Sequence, residues 1–313
     1  MHKRSKSCEP YRKMEEHAGC GNGATSCDDS AAAAGRAPAA AQCSTVSVYL
    51  AKIGGAPRLV TAVWSKNLIN QSFTVSISRP DDDDDDGAAA AASHKVELKP
   101  WPFWSKKGSK ALDVGGGDRV DMFWDLRGAK FAASSSPEPA GGYYVALVSD
   151  DEVVLLLGDS KKDAYKRTKA RPSLDDPVLV CRRESVFGRR SFAARARLDA
   201  RGSKEHDIVI ECSPAAGTIV RDPEMWVTVD GFVLLHVKNL QWKFRGNETV
   251  LVDQAPVQVI WDVHDWLFAG PGSQAAFVFK PGAPPEIQED SGGNGIQSEG
   301  TDFCFFLQTW RTE

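Results

Sequence analysis

Residues 227–235 read VTVDGFVLL, two runs of β-branched and apolar residues joined by Asp230-Gly231. Both central positions of a two-residue hairpin turn need φ > 0. Asp and Gly tolerate that conformation, so the stretch predicts a type I′ β-hairpin. The pattern extends outward on both sides. Phe73, Val75 and Ile77 alternate with Ser72, Thr74 and Ser76. Val120, Met122, Trp124 and Leu126 alternate with Asp121, Asp125 and Arg127, Phe123 being the apolar exception. Phe192, Ala194, Ala196 and Leu198 alternate with Ser191, Arg195 and Arg197. A period of two marks strands with one buried face. Further strands are predicted near 44–53, 58–65, 94–99, 143–149, 152–157, 178–187, 206–212, 241–244, 248–253 and 256–263. Only 159–169 reads as a helix. Asp159 or Ser160 caps it, Ala164, Tyr165 and Thr168 form a short apolar stripe, and Arg171-Pro172 stops it. Many short strands and one short helix predict an all-β fold, a large antiparallel sandwich or barrel.

Three tracts lack any hydrophobic period and are expected to be disordered. They are the alanine-rich tail 1–42, an insert at 80–93 carrying Asp81 to Asp86, and 281–302, rich in Gly, Pro, Ser and Glu. The expected organisation is a tail 1–42, a single β-rich domain 43–280, and a mostly flexible 281–313 with a short strand at 303–307. The chain lacks an apolar run near 18 residues, so no transmembrane helix is expected. The first 30 residues hold no apolar h-region, and the seven cysteines are odd in number and irregularly spaced. The expectation is a reducing intracellular setting, cytoplasmic or nuclear, rather than secretion.

The net charge of −4 conceals an uneven distribution. Residues 161–204 hold 14 Lys+Arg against 5 acids, a net +9, and removing the three low-complexity tracts leaves +6 on the remaining 235 residues. A basic surface attracts phosphate in nucleic acid or in anionic lipid headgroups. The candidate ligand-binding residues are Arg182, Arg183, Arg189, Arg190, Arg195 and Arg197. Lys106, Lys107 and Lys110 join them from the aromatic and basic loop 101–110, where free backbone N–H groups suit an anion.

Catalytic signatures are scarce. The chain carries no G-x-S-x-G, no G-x-x-x-x-G-K-[ST], no C-x-x-C and no H-E-x-x-H. The weak catalytic candidates are Asp262 and His264, placed by strand periodicity on one face about 7 Å apart. Glu205-His206-Asp207 reads as a solvated turn, and His236 as a core histidine pointing inward with Phe232 and Leu234. Cys8, His17, Cys20 and Cys27 match no standard zinc spacing, so neither metal nor cofactor is expected.

Long motifs fall in order along the chain: WPFWSKKGSK (101–110), RVDMFWDLRGAKF (119–131), EVVLLLGD (152–159), AYKRT (164–168), EHDIVIEC (205–212), DPEMWVTVDG (222–231), HVKNLQWKFRGNETV (236–250) and VQVIWDVHDWLF (257–268). Over roughly 42–280 they resemble a plant family of uncharacterised proteins, domain of unknown function 868. The resemblance implies a plant source and carries over no activity, cofactor or catalytic residue. Three readings of function stay open. The first is a non-enzymatic binding or adaptor module presenting its basic surface to a protein, an anionic ligand, nucleic acid or an anionic membrane surface. The second is a β-barrel that encloses a small apolar ligand. The third is a hydrolase or isomerase using Asp262 and His264.

Overall fold

In the computed structural model the described residues are 43–67, 70–80, 92–98, 106–131, 136–188, 190–198, 204–213, 222–270, 272–282 and 303–312. The expected tail 1–42, Asp81 to Asp86, most of 281–302, Arg189 and the Trp101, Phe103 and Trp104 cluster lie outside them.

Chain order gives β1 (Cys43–Ile53), β2 (Ala56–Lys66), β3 (Gln71–Ser78), β4 (Ala92–Leu98), β5 (Lys107–Asp113), β6 (Arg119–Asp125), β7 (Tyr144–Ser149) and β8 (Glu152–Gly158). Helix α1 (Lys161–Thr168) and β9 (Arg171–Pro172) follow. Then come β10 (Val178–Gly188), β11 (Ser191–Ala196), β12 (His206–Cys212), β13 (Met225–Val229), β14 (Phe232–Val237), β15 (Arg245–Val252) and β16 (Ala255–Asp262). Helix α2 (His264–Phe268), β17 (Gln274–Pro281) and β18 (Cys304–Arg311) complete the elements of the described residues.

These strands form three sheets. The largest has nine strands in the order β15-β16-β17-β18-β10-β1-β2-β3-β4. A five-stranded sheet (β5 to β9) and a four-stranded sheet (β11 to β14) accompany it. The alternation of Trp64, Phe73, Val75 and Ile77 faces Val120, Met122, Trp124, Val145 and Leu147 in one core. Phe277, Phe279, Phe305 and Leu307 face Ile208, Ile210, Met225 and Val227 in another. Two sandwiches therefore share one wide sheet, and the fold is a sandwich rather than a closed barrel.

The Asp230-Gly231 turn forms as predicted, with φ of 50° and 83°. Asp150-Asp151 and Asp253-Gln254 adopt the same positive-φ geometry between β7 and β8 and between β15 and β16. The predicted strand at 241–244 is instead a turn, with Trp242 and Lys243 N–H donating to Asn239 O. Strand β5 occupies what reads as a loop. It is an edge strand with only Leu112 buried, so it shows no apolar alternation. Its Gly108 pairs with Trp124, and a Cβ there would lie 2.6 Å from the indole. Strand β18 runs past the expected 303–307 to Arg311. It fills the middle of the wide sheet, antiparallel to β17 and parallel to β10.

The inner face of the wide sheet is apolar at both ends and polar in the middle. Thr45 and Ser47 of β1 sit opposite Glu184 and Arg182 of β10. All four lie between the two cores.

Candidate functional site

The basic block 161–204 divides among several surfaces. Side chains alternate along a strand, so Arg182 and Arg183 point to opposite faces of β10. Arg182 turns inward to Glu138 (2.8 Å) and Glu184 (2.7 Å), while Arg183 lies outside with its guanidinium 5.8 Å from the Phe306 ring. Arg195 pairs with its cross-strand partner Asp207 at 2.7 Å, and Lys204 bridges Asp253 and Asp230. Arg190 and Arg197 are exposed near the two ends of β11. In β5, Lys107 pairs with Asp125 at 3.3 Å, and the carbonyl of the preceding Lys106 accepts from Leu126 N–H. The backbone from Lys107 to Lys110 is an edge strand paired with β6 rather than a loop, so only its alternate N–H groups face outward. Burial, and to a lesser extent the charge of Lys110, lower the pKa of the His94 imidazole.

Asp262 and His264 do not share a strand face. Strand β16 ends at Asp262, Val263 turns the chain, and His264 opens α2. Asp262 accepts from Arg245 Nε at 2.8 Å and from the His264 backbone N–H at 3.1 Å. The carboxylate beside the imidazole belongs instead to Asp265, 2.9 Å from Nδ1, and the ring rests between Phe244 and Phe268. A short helix breaks the strand period here, because Asp262 satisfies the first orphan N–H of α2.

Two further histidines differ from expectation. His236 faces outward, stacked on Trp226 with centroids 4.9 Å apart and bonded to Glu224 at 2.6 Å. Residues 232–237 are apolar on both faces, so periodicity alone does not decide which face is buried. The register of Leu235 on Val227 and Val237 on Met225 decides it. His206 is buried rather than in a solvated turn. Its Nδ1 lies 2.9 Å from Asp230 in the hairpin turn, and its Nε2 lies 3.9 Å from Asp253.

Arg183, Arg190 and Arg197 are exposed without an ion pair among the described residues, but the densest group of such cations in the block lies on α1 and its C-cap. Neither expected cap bonds the helix: Ser160 stands at the N-cap without a side-chain capping bond, and Asp159 accepts from the Gly142 and Tyr143 N–H groups instead. Those bonds hold its carboxyl below the usual carboxylate range. Lys169, left-handed at φ 59°, ends the helix with its N–H on Tyr165 O. Ala164 is fully buried against Tyr144, Ala146 and Val153 on the outer face of the five-stranded sheet. Tyr165 and Thr168 are half-buried beside it, as the predicted stripe requires. Lys161, Lys162, Lys166, Arg167 and Lys169 are all exposed and make no ion pair among the described residues. Arg171, just beyond, pairs with Glu152 at 2.8 Å. Lys162 and Lys166 are like charges at i,i+4, and Lys161 and Lys162 sit at the positive end of the helix dipole. Neither arrangement favours the helix, whereas Lys166, Arg167 and Lys169 lie at its negative end, so helix stability accounts for the last three charges but not for Lys161 and Lys162. The five residues were visible in the sequence as members of the block. Only the helix brings them together on one element.

Two depressions among the described residues are open to the surface. One, of about 330 Å³, lies beside the start of α1 and is lined by Asp125, Arg127, Tyr144, Ser160 and Asp163. Between the sheets of the first sandwich, Trp64 packs on Phe73 and Tyr143 with centroids 4.3 and 5.4 Å away. No group of three or more metal-ligating side chains occurs among the described residues, and no helix among them is long and apolar enough to cross a membrane.

An all-β double sandwich with a basic helix on one outer face is the class that fold and surface define. The chain belongs to the family described as plant protein of unknown function (DUF868), which matches residues 40–311. No curated protein and no solved structure matches it.

Proposed function

We propose that this protein is a non-enzymatic binding module that docks a phosphate-bearing or acidic partner through α1. The observation that carries the reading is the set of five exposed cations on α1 and its C-cap, none of which makes an ion pair among the described residues. A helix seated on a sheet by Ala164 presents that charge from a rigid support. Sequence-independent attraction to phosphate needs only such an array of Lys and Arg, and it weakens steeply with salt. The odd number of cysteines favours action in a reducing intracellular compartment.

The test is titration of the full chain against anionic-lipid vesicles and single-stranded RNA, with zwitterionic vesicles as control. Five phosphate contacts on a single strand give a log–log salt slope of about −3.5, a loss of roughly a hundredfold between 50 and 200 mM. Replacing Lys161, Lys162, Lys166, Arg167 and Lys169 by Gln abolishes the salt-dependent part. Binding that is absent at low salt, or unchanged in that variant, refutes the proposal.

A further inference from the structure

On the outer face of the wide sheet, β10 and β18 run parallel with their register partners side by side. Three successive pairs are in contact there. Arg183 lies over Phe306 at 5.8 Å, the Ser185 hydroxyl donates to Gln308 Oε1 at 3.5 Å, and Phe187 stacks on Trp310 at 6.4 Å. The next partners on the same ladder and face are Cys181 and Cys304, both half-buried. Neighbouring strands lie about 4.8 Å apart, inside the Cα separation of roughly 4.4–6.8 Å that a disulfide spans.

We propose that Cys181 and Cys304 form a redox dithiol that closes a reversible disulfide between β10 and β18 in exchange with a low-molecular-weight disulfide. The thiolate of one cysteine attacks the small disulfide, forming a mixed disulfide and releasing one small thiolate. The thiolate of the second cysteine then attacks the protein sulfur of that mixed disulfide. A bond forms between the two protein sulfurs, and the second small thiolate leaves. The pair gives up two electrons, the small disulfide is reduced to two thiols, and the two protein thiol protons end on them. The bond ties β18, the last strand, to the strand that joins the two sandwiches. Side-by-side positions in a parallel ladder hold Cβ atoms farther apart than an unstrained disulfide prefers, which makes the bond easily reduced. Burial and the neighbouring Cys304 push the Cys181 thiol up while Arg183 pulls it down. Exchange therefore quickens as pH rises above the ordinary thiol range.

The experiment treats the full-length native protein with oxidised glutathione, alkylates remaining thiols, and maps peptides by mass spectrometry without reduction. The expected result is a peptide pair joined through Cys181 and Cys304 that dithiothreitol releases. In Cys304→Ser, the glutathione adduct should accumulate on Cys181. Either glutathione adducts that persist on both cysteines of the native protein, or both remaining alkylatable after prolonged treatment, overturns the proposal. The native peptide map decides even where the variant does not fold.

Discussion

Arg182 and Glu184 stand two residues apart on one face of β10 and meet at 2.7 Å between the two cores, with Glu138 closing on the same guanidinium at 2.8 Å. One cation thus serves two carboxylates in the interior seam, and the Ser47 hydroxyl accepts a further bond from it at 3.4 Å. Removing one partner of a buried pair leaves uncompensated charge. Arg182→Met should therefore destabilise the fold by about 3–5 kcal/mol. Adding Glu184→Gln should recover part of that loss. Denaturant unfolding of the two single variants and the double variant measures the coupling. Additive effects would mean that the two side chains act independently.

The pH dependence of stability has two opposed contributions. Burial holds the Glu184 carboxyl above its ordinary range despite Arg182. The folded state therefore binds the proton more tightly, and stability from this group falls as pH rises from the ordinary carboxylate value through the folded one. Asp125 is shifted the other way. Hydrogen bonds from Arg127 and Lys107 lower it from 3.8 to about 2. Its contribution is present above the ordinary value and fades as pH falls through about 2. Thermal midpoints from pH 2 to 7 should show the acid-side loss reduced in Asp125→Asn. The decline with rising pH should be reduced in Glu184→Gln.

Charge reversal on α1 separates stability from binding. Lys161→Glu and Lys162→Glu place acids at the positive end of the helix dipole and should each stabilise it by about 0.3–1 kcal/mol. The same changes should weaken salt-dependent binding to anionic vesicles or RNA. A variant that loses both stability and binding would count against a docking role for these residues.

Two glycines occupy matching places in the sandwiches. Gly108 lies beside Trp124 and Gly246 beside Trp261, where a Cβ would stand 2.6 and 2.4 Å from the indole. Alanine at either position must push a buried ring aside, an overpacking cost of about 1–3 kcal/mol. Thermal unfolding of Gly108→Ala and Gly246→Ala should show a lowered midpoint and a shifted tryptophan emission.

Asp262 acts structurally at the start of α2. Asp262→Ala removes the acceptor for His264 N–H and the partner of Arg245, and should cost about 0.5–2 kcal/mol. His264→Ala removes a half-buried ring with its contacts to Phe244 and Phe268 and its bond to Asp265, but leaves the helix start capped, so urea unfolding should place it nearer the native protein.

Much of the fold was legible because alternation and turn chemistry are local. Phe73, Val75 and Ile77 announced β3, Asp230-Gly231 announced its hairpin, and Ala164 announced the seat of α1. Strand β5 was hidden, since an edge strand with one buried residue leaves no period to read. Helix α2 was hidden because five residues are too few to show a helical repeat. The basic block was legible as composition, and its division between faces was not.

The sequence by itself determined that the chain is all-β, where most strands lie, and that residues 161–204 are rich in positive charge. Tertiary structure alone decided which strands are neighbours. Pairing β10 with β18 joins residues more than a hundred positions apart, and a period of two carries no information about partners so distant. That pairing brings Cys181 beside Cys304. The neighbouring pairing with β1 and the approach of Glu138 put Arg182 in the interior, while the five cations of α1 and its C-cap stay exposed.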